Sequence, residues 1–307
     1  MLNRRRFLVI SAAVAGLSAG LPDRAAAGAT RRVWTGTALG ARASIRLDHP
    51  EAEAIAARAA AEIDRLETIF SLYRRDSALS RLNRAGVLEA PDFELLECLS
   101  LAGAVHRASG GRFDPTVQPL WAAHAGAAAQ GRAATPAELA PALARVGWSR
   151  VALAEDRIAL PPGGALTLNG IAQGYVADRV ARLLESEGLG GILIDTGEFR
   201  ALGGRPQGGG WPVRLAEGGQ VALQGRALAT SAPLGTTFDQ QGRLGHILDP
   251  QSGLPVAPVW REITVSAPSA ALADALSTAA CLSGSVTEAQ RLCTGFAGVR
   301  LESIRRA

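Results

Sequence analysis

The sequence predicts an α+β fold, and three observations lead to this prediction. Segments with apolar residues at helical spacing occur at 51–69 and 171–186, among others. Short apolar segments between glycine-rich turns are concentrated after residue 190, which is typical of strands. These segments do not alternate regularly, as they would in a doubly wound parallel sheet. With 307 residues, 48% of them hydrophobic, the chain is long enough to bury a sizeable core.

The first half of the chain is predicted to form one strand followed by four helices. Asp92 precedes an apolar stripe that ends at Gly110, so we expect an N-cap and a glycine stop there. Thr135 and Glu138 have the spacing of a capping box, which predicts a helix start. The predicted elements are a strand at 33–47 and helices at 51–69, at 92–110, from 136 onward and at 171–186.

The second half is richer in short strands. Glycine-rich turns, such as the one at 208–210, separate the apolar segments from one another. Ser285 and Glu288 form another capping-box pattern, which opens the last predicted helix. The predicted strands are 191–195, 199–203, 211–215, 220–223, 226–229 and 261–267, and a helix is predicted from 269 to about 282.

The N-terminus has the pattern of an export signal. Arginines at 4–6 precede an apolar segment at 7–21, and small residues at 25–27 offer a cleavage site. The Arg-Arg-x-Phe-Leu arrangement resembles the twin-arginine type of signal. The alternative is an uncleaved anchor helix, but a helix needs about 20 apolar residues to span a bilayer. We therefore predict a signal peptide at 1–27, a single mature domain at 28–307 and a periplasmic location.

The composition excludes several classes of function. All 32 Lys+Arg residues are arginine, so neither Schiff-base nor P-loop lysine chemistry is available. Removing residues 1–27 leaves a formal net charge of +1, and only 5% of the chain is aromatic, so we expect no nucleic-acid partner. Cys98, Cys281 and Cys293 are too few and too scattered for a disulfide framework or a thiolate metal site, and we expect small buried side chains.

Asp274 and Thr278 are four residues apart in a predicted helix and therefore share a face, with Ser277 beside them. A carboxylate and hydroxyls on one face offer hard oxygen ligands. Mg²⁺ prefers one or two such groups together with phosphate oxygens of a substrate. The alternative is that Asp274 and Thr278 make only local hydrogen bonds within their helix.

Four further residues lie in segments that favour ligand binding. Gly170 precedes a predicted helix N-terminus, which is a phosphate-binding feature, although a plain loop-to-helix connection gives the same pattern. His246 lies in a turn-like segment near Asp249 and is either a proton acceptor for an attacking hydroxyl or a structural histidine. Tyr73 either lies against a planar ring or fills core. Asp114 either contacts a ligand or caps the next segment.

Five segments, taken together, are far more specific than any one of these residues. They are Ser-x-Tyr-x-x-x-Ser at 71–77, Phe-Asp-Pro-Thr-Val-x-Pro-Leu at 113–120, Gly-Ile-Ala-x-Gly-Tyr-x-x-Asp at 170–178, His-Ile-x-Asp-Pro-x-x-Gly-x-Pro at 246–255 and Ala-Asp-Ala-Leu-Ser-Thr at 273–278. In their order and approximate spacing they resemble the ApbE family, the FAD:protein FMN transferases of bacterial envelopes. The NosX-type branch, whose members flavinylate a membrane protein of nitrous-oxide respiration, is the most similar.

The resemblance implies a T-fold-like α+β core of two subdomains with a flavin cleft between them. It implies Mg²⁺ held by Asp274, Thr278 and a carbonyl near Gly170, with Ser277 as a further candidate, and a catalytic His246. FMN would pass from FAD to a Thr or Ser of a Ser-Gly-Ala-Thr-type site on a membrane-bound or periplasmic flavoprotein, and AMP would leave. The implied FAD contacts are Thr35, Ser71, Leu72, Tyr73, Arg112, Phe113, Asp114, Thr167, Gln173 and Ile247.

The chain departs from the family pattern at several positions. Many members have Asp and Lys where this chain has Thr167 and Gln173, and Gly where it has Asn169. Residues 195–198, Asp-Thr-Gly-Glu, replace the usual Gly-Gly pair before the acid. Glutamine hydrogen-bonds but cannot neutralise a diphosphate, so FAD affinity is the property most affected, and Arg112 is a candidate to compensate. Two alternatives therefore stay open: a flavin-holding protein without transfer, and an FAD pyrophosphatase that uses water.

Overall fold

The computed structural model describes residues 31–216 and 218–307, so the predicted export signal at 1–27 lies outside the described residues. The helices are α1 (Ala52–Phe70), α2 (Ala78–Ala85), α3 (Phe93–Ala108), α4 (Gln118–Ala128), α5 (Pro136–Leu143), α6 (Ala172–Ser186), α7 (Ala270–Ala280) and α8 (Val286–Thr294). The strands are β1 (Arg31–Ala38), β2 (Ala41–Asp48), β3 (Val87–Glu89), β4 (Ala152–Leu153), β5 (Arg157–Ala159), β6 (Ile192–Asp195), β7 (Phe199–Leu202), β8 (Trp211–Arg214), β9 (Gln220–Leu223), β10 (Ala227–Ser231), β11 (Trp260–Ala267) and β12 (Arg300–Arg306).

A seven-stranded sheet organises the fold and confirms the predicted α+β class. Its strand order is β1-β2-β6-β7-β10-β11-β12, and the neighbours pair antiparallel. Strands distant in sequence become neighbours in this order, because β2 pairs with β6 across the intervening helices. The site residues of the two halves of the chain are therefore brought to one sheet.

The predicted single strand at 33–47 is wrong, because the structure has a hairpin there. Leu39 and Gly40 both have positive φ, at 50° and 85°, and turn the chain between β1 and β2. The Leu39 amide donates to Glu67 Oε1 on α1 at 2.8 Å, which fixes the turn. Alternation continues on both sides of a two-residue turn, so the apolar pattern did not reveal the break.

The helices α1, α6 and α7 pack against the sheet, and α3 packs on α1 and α7, so that together they enclose the main core. Helices α6 and α7 lie side by side, with α7 against β10 and β11. Cys98, Cys281 and Cys293 are buried free thiols, as the sequence predicted. The capping boxes also have their expected ends, because the Thr135 and Ser285 side chains accept from the amides of Glu138 and Glu288.

Two smaller cores lie outside the main one. The β8–β9 hairpin packs Trp211, Val213 and Leu223 against sheet residues such as Leu228. Helices α4 and α5 form the other small core with residues from the 232–256 segment, including Phe238 and Leu248. No helix among the described residues is long and apolar enough to cross a membrane.

Candidate active site

A cavity of about 600 Å³ opens where the three cores meet. The wall includes Phe113 of the main core, Leu228 of the core beneath the β8–β9 hairpin, and Trp121 of the core that α4 and α5 form. The structure brings ten of the predicted site residues into this wall: Arg112, Phe113, Asp114, Thr167, Gly170, Gln173, His246, Ile247, Asp274 and Thr278.

Helix α7 presents Asp274 and Thr278 to the cavity from successive turns. Gly170 comes from the loop before α6, and a Cβ at this glycine would lie 3.1 Å from Thr278 Oγ1. The loop backbone therefore reaches the Thr278 hydroxyl because Gly170 has no side chain. Gly170 therefore shares one wall with Asp274 and Thr278, which come more than a hundred positions later in the sequence.

A chain of hydroxyl groups supports Thr278. Ser231 Oγ lies 3.1 Å from Thr278 Oγ1 and 2.7 Å from Ser277 Oγ, and Ser277 Oγ donates to the Asp274 carbonyl at 3.0 Å. Each hydroxyl has one proton, so the donors run from Thr278 through Ser231 to Ser277. This order leaves lone pairs of Thr278 Oγ1 for a ligand. Ser277 is fully buried behind Ser231 and makes a hydrogen bond within its helix.

The carboxylates around the cavity are strongly desolvated. Asp274 is 3% exposed, and burial raises the pKa of its carboxyl to about 8. Its side chain accepts a long hydrogen bond from the Gly174 amide, at 3.4 Å. Burial also raises the pKa of Glu198 well above its usual value, and the charges of Asp274 and Asp195 add to that rise. Buried carboxylates with this little compensation favour a bound cation.

The oxygen atoms around Asp274 fit a hard divalent cation. They are a desolvated carboxylate and the Thr278 hydroxyl with its lone pairs directed away from Ser231, and the backbone at Gly170 lies against that hydroxyl. Among the described residues, no three His, Cys, Asp or Glu side chains cluster as metal ligands. A cation here would therefore depend on one carboxylate and neutral oxygens, with substrate phosphate completing its coordination, which is the set that Mg²⁺ prefers.

Two residues of α6 fix the position of α7. Asp178 accepts from the Ala270 and Ala271 amides, both at 2.9 Å, and from Ser269 Oγ at 2.8 Å, so its carboxylate caps α7 from outside. A Cβ at Gly174 would lie 2.3 Å from the Ala270 carbonyl oxygen, so the two helix backbones touch at this glycine. Asp178 belongs to one of the five segments, but no role was predicted for it from the sequence.

The His246 ring is hydrogen-bonded to a backbone carbonyl, that of Thr236, and not to Asp249. Its Nδ1 lies 3.0 Å from the Thr236 carbonyl oxygen, which can only accept, so the neutral ring has its proton on Nδ1 and a lone pair on Nε2. Burial lowers the pKa of the imidazole and outweighs the opposing effect of the Thr236 and Pro233 backbone, so the neutral form is favoured. The expected Asp249 partner instead accepts from the Gln251 amide and Ser252 Oγ within its own turn.

Asp114 and Arg112 line the cavity but already have partners. Asp114 Oδ1 accepts from the Thr116 amide at 2.8 Å, and Oδ2 accepts from the Trp148 amide at 3.2 Å. This carboxylate therefore caps the next segment, which is one of the two roles predicted for it. Arg112 forms an ion pair with Glu288.

The four remaining predicted flavin contacts, Thr35, Ser71, Leu72 and Tyr73, are not among the residues that line the cavity. Ser71 Oγ accepts from the Tyr73 and Arg74 amides, at 3.1 and 3.2 Å, and so shapes the turn that contains Leu72. Tyr73 packs beside Gly40, whose Cβ would lie 3.4 Å from the ring. Thr35 is exposed on β1, directly opposite the cavity residue Ser44 of β2. Contact of these residues with FAD stays a prediction.

Several wall residues were not predicted from the sequence. Arg42, Ser44 and Arg46 of β2 line the cavity, because the hairpin turn places β2 beside β6. Asp195 and Glu198 were noted only as part of a departure from the family pattern, and their burial could not be read from the sequence. The alternation of Arg42, Ser44 and Arg46 in a strand was the available signal.

Comparison with known proteins agrees with this geometry. The family model described as the ApbE family matches residues 39–299. The chain belongs to the ApbE family. The resemblance predicted from the five segments is therefore confirmed, whereas assignment to the NosX-type branch stays a prediction.

Similar ApbE proteins come from several bacteria. The FAD:protein FMN transferase of Klebsiella pneumoniae is 29% identical over 257 residues, which cover 76% of this chain and 72% of that protein. The one of Salmonella typhimurium is 28% identical over 282 residues, covering 84% and 80%. The crystal structure of Pseudomonas stutzeri flavinyl transferase ApbE, in its apo form, is 28% identical with a TM-score of 0.76, covering 86% and 88%. An ApbE protein of Thermotoga maritima is 25% identical with a TM-score of 0.78, covering 90% and 97%.

Proposed function

We propose that this ApbE protein transfers FMN from FAD to a Thr or Ser hydroxyl of an acceptor protein and releases AMP. Membership of the family supports the activity, because its curated relatives bear the name FAD:protein FMN transferase. The observation that carries the proposal is the shared cavity, in which Asp274, Thr278, Gly170 and His246 meet.

Asp274 and Thr278 hold Mg²⁺ in this proposal, with a backbone carbonyl near Gly170. When bound, Mg²⁺ neutralises negative charge on the diphosphate of FAD. The fully buried α7 carboxylate supports this role, since its desolvation is offset only when a positive charge lies beside it. Asp178 and Gly174 act as positioning residues, because they set where α7 lies against α6.

His246 accepts the proton of the acceptor hydroxyl at Nε2. The acceptor oxygen forms a bond to the FMN phosphorus, the bond from that phosphorus to the AMP oxygen breaks, and the hydroxyl proton passes to the imidazole. The hydrogen bond from Nδ1 to Thr236 keeps the ring in the tautomer that can accept it. The lowered pKa of His246 keeps the ring neutral at physiological pH.

The acceptor is proposed to be a membrane-bound or periplasmic flavoprotein, and the enzyme to act in the periplasm. The arginine and apolar segments at 4–21 support export. The NosX-type likeness supports an acceptor of nitrous-oxide respiration.

One assay separates the proposed activity from its alternatives. Purified protein is mixed with FAD, Mg²⁺ and a peptide that contains Ser-Gly-Ala-Thr, and the products are analysed by mass spectrometry. We expect a mass gain of one FMN on the peptide and equimolar AMP. FMN and AMP in solution with an unmodified peptide would indicate a pyrophosphatase, and intact FAD would indicate a flavin-holding protein. A Thr→Ala peptide is the control for the modified hydroxyl.

A further inference from the structure

We propose that Arg42 and Arg46 form a subsite that binds the diphosphate-bearing part of the dinucleotide. This inference rests on the proposed function, because it takes FAD as the substrate of the cavity. Both arginines belong to β2 and line the cavity. Neither was identified from the sequence.

The strand geometry places the Arg42 and Arg46 side chains on the same face of the sheet, on either side of Ser44. Arg42, Ser44 and Arg46 alternate along β2 and so lie on one face of the sheet, with about 13 Å between the outer two Cα atoms. Ser44 is paired with Asp195 of β6, so the Asp195 carboxyl lies between the two arginines. Both arginine charges lower the pKa of this carboxyl, although burial still keeps it above its usual value. The two guanidinium groups are therefore close to the Asp195 carboxyl, but their charges do not fully offset the effect of its burial.

An anionic substrate needs positive charge in this wall. Burial raises the pKa of Asp195, Glu198 and Asp274 and favours their neutral forms in the empty cavity, but Asp274 is ionised when it holds a cation, and a diphosphate adds about two further negative charges. A bound Mg²⁺ compensates only part of this total. Since the chain has no lysine, the remaining compensation must come from arginine.

The other cavity arginines are less suited to this role. Arg112 is paired with Glu288, and Arg214 lies on the β8–β9 hairpin, a separate two-stranded sheet that does not pair with the strand of Asp195. Gln173 is neutral. Its Nε2 lies 3.1 Å from the position that a Cβ at Gly197 would occupy.

Arg42 and Arg46 have hydrogen-bond donors available. Within the described part of the chain, neither guanidinium group is within 4.0 Å of a carboxylate in an ion pair. Arg42 is exposed and Arg46 is half-buried, so Arg46 is the deeper of the two. The guanidinium fork matches two phosphate oxygens, and partial burial strengthens such a contact. We therefore expect Arg46 to contribute more to binding than Arg42.

The test compares binding of FAD with binding of riboflavin, which has the flavin ring but no phosphate. Arg42→Gln, Arg46→Gln, the double variant and Arg46→Lys are titrated with each ligand by flavin fluorescence, in the presence of Mg²⁺. Arg81→Gln, an exposed position on α2 away from the cavity, is the matched control. Thermal unfolding of each variant shows whether it is folded, and Arg46→Lys keeps the charge if Arg46→Gln does not fold.

We expect Arg46→Gln to raise the Kd of FAD by about tenfold to a hundredfold, and the double variant by more, because each loses charge-assisted hydrogen bonds. Arg46→Lys is expected to lose less, and riboflavin binding and the Arg81→Gln control to be unchanged. The FAD Kd of the wild type should rise with salt concentration more steeply than that of the double variant.

Several outcomes would overturn the subsite. Equal losses for FAD and riboflavin would indicate a distorted cavity. An unchanged Kd of FAD with a raised KM for the acceptor peptide would place the pair on the acceptor instead. A wild type that binds FAD by way of Arg46 but transfers no FMN would leave the subsite standing and refute the proposed transferase. A wild type that binds no FAD would refute both.

Discussion

Replacement of Gly174 by alanine tests the contact between α6 and α7 on which the site depends. The added Cβ would lie 2.3 Å from the Ala270 carbonyl oxygen, 2.4 Å from its carbon and 2.6 Å from the Ala271 nitrogen. An ordinary contact is at least 3.4 Å, and these are backbone atoms that no rotamer change can move. The two helices must therefore separate by about 1 Å at this point.

The expected loss of stability follows from two opposing effects. Overpacking of this kind costs about 1–3 kcal/mol, and we expect the upper end because the whole helix must shift. Alanine returns at most about 1 kcal/mol relative to glycine within a helix, and Gly174 lies in the first turn of α6. The net decrease in the free energy of unfolding is therefore about 2 kcal/mol, which corresponds to a Tm lower by roughly 4–8 °C.

The same shift should damage the chemistry. Asp274 lies one turn beyond Ala270 on α7, so it would move relative to Gly170 and His246. A displacement of about 1 Å can reduce a rate by ~10²-fold. We expect Gly174→Ala to need a higher Mg²⁺ concentration for half-maximal FMN transfer and to have a lower kcat.

Gly126 provides the matched control. It also lies within a helix, α4, but a Cβ there would have no atom within 4 Å. Gly126→Ala should therefore raise stability by about 0.5–1 kcal/mol and leave transfer unchanged. Thermal unfolding and a Mg²⁺ titration of the initial rate measure both variants. A Gly174→Ala protein with wild-type Tm and wild-type Mg²⁺ dependence would show that the helices do not touch as described.

Three other predictions use the same assays. Asp274→Asn should reduce FMN transfer by at least ~10³-fold, since it removes the only carboxylate proposed as a metal ligand. It should also abolish the protection that Mg²⁺ gives against thermal unfolding, and protection equal to that of the wild type would contradict the proposed site. Because the pKa of Asp274 is raised to about 8, the folded metal-free protein binds more protons than the unfolded chain between pH about 4 and 8. The free energy of unfolding should therefore fall as pH rises through this range, and it should fall less in Asp274→Asn. His246→Gln should lower kcat by ~10²–10⁴-fold with little change in the Kd of FAD, whereas full activity would exclude His246 as the base. Because burial lowers the pKa of His246, wild-type activity should be lost only at a pH below the usual range of imidazole, and this acid loss should be absent from the residual rate of the variant. Asp178→Asn should raise the Mg²⁺ concentration for half-maximal rate, whereas Ser285→Ala, which removes a cap from α8, should lower only the Tm.

Much of the local structure followed from the sequence. The four-residue spacing of Asp274 and Thr278 placed both on one face of α7, because a helix repeats every 3.6 residues. The caps at Thr135 and Ser285 were predicted for the same kind of reason, since a cap is formed by residues three positions apart. The prediction failed at Leu39–Gly40, where positive φ values reverse a chain whose alternation continues.

The α+β class, the helix face that carries Asp274 and Thr278, and the family resemblance of the five segments follow from the amino-acid sequence alone. The folded chain was needed to show that Gly170 meets Thr278, that the His246 ring is hydrogen-bonded to Thr236 and not to Asp249, and that β2 brings its arginines to the cavity. Periodicity and capping depend on residues a few positions apart, so the local sequence pattern is enough to predict them. The contacts of the site depend on the order of strands in the sheet and on the packing of α6 against α7, and these join residues that no local pattern relates.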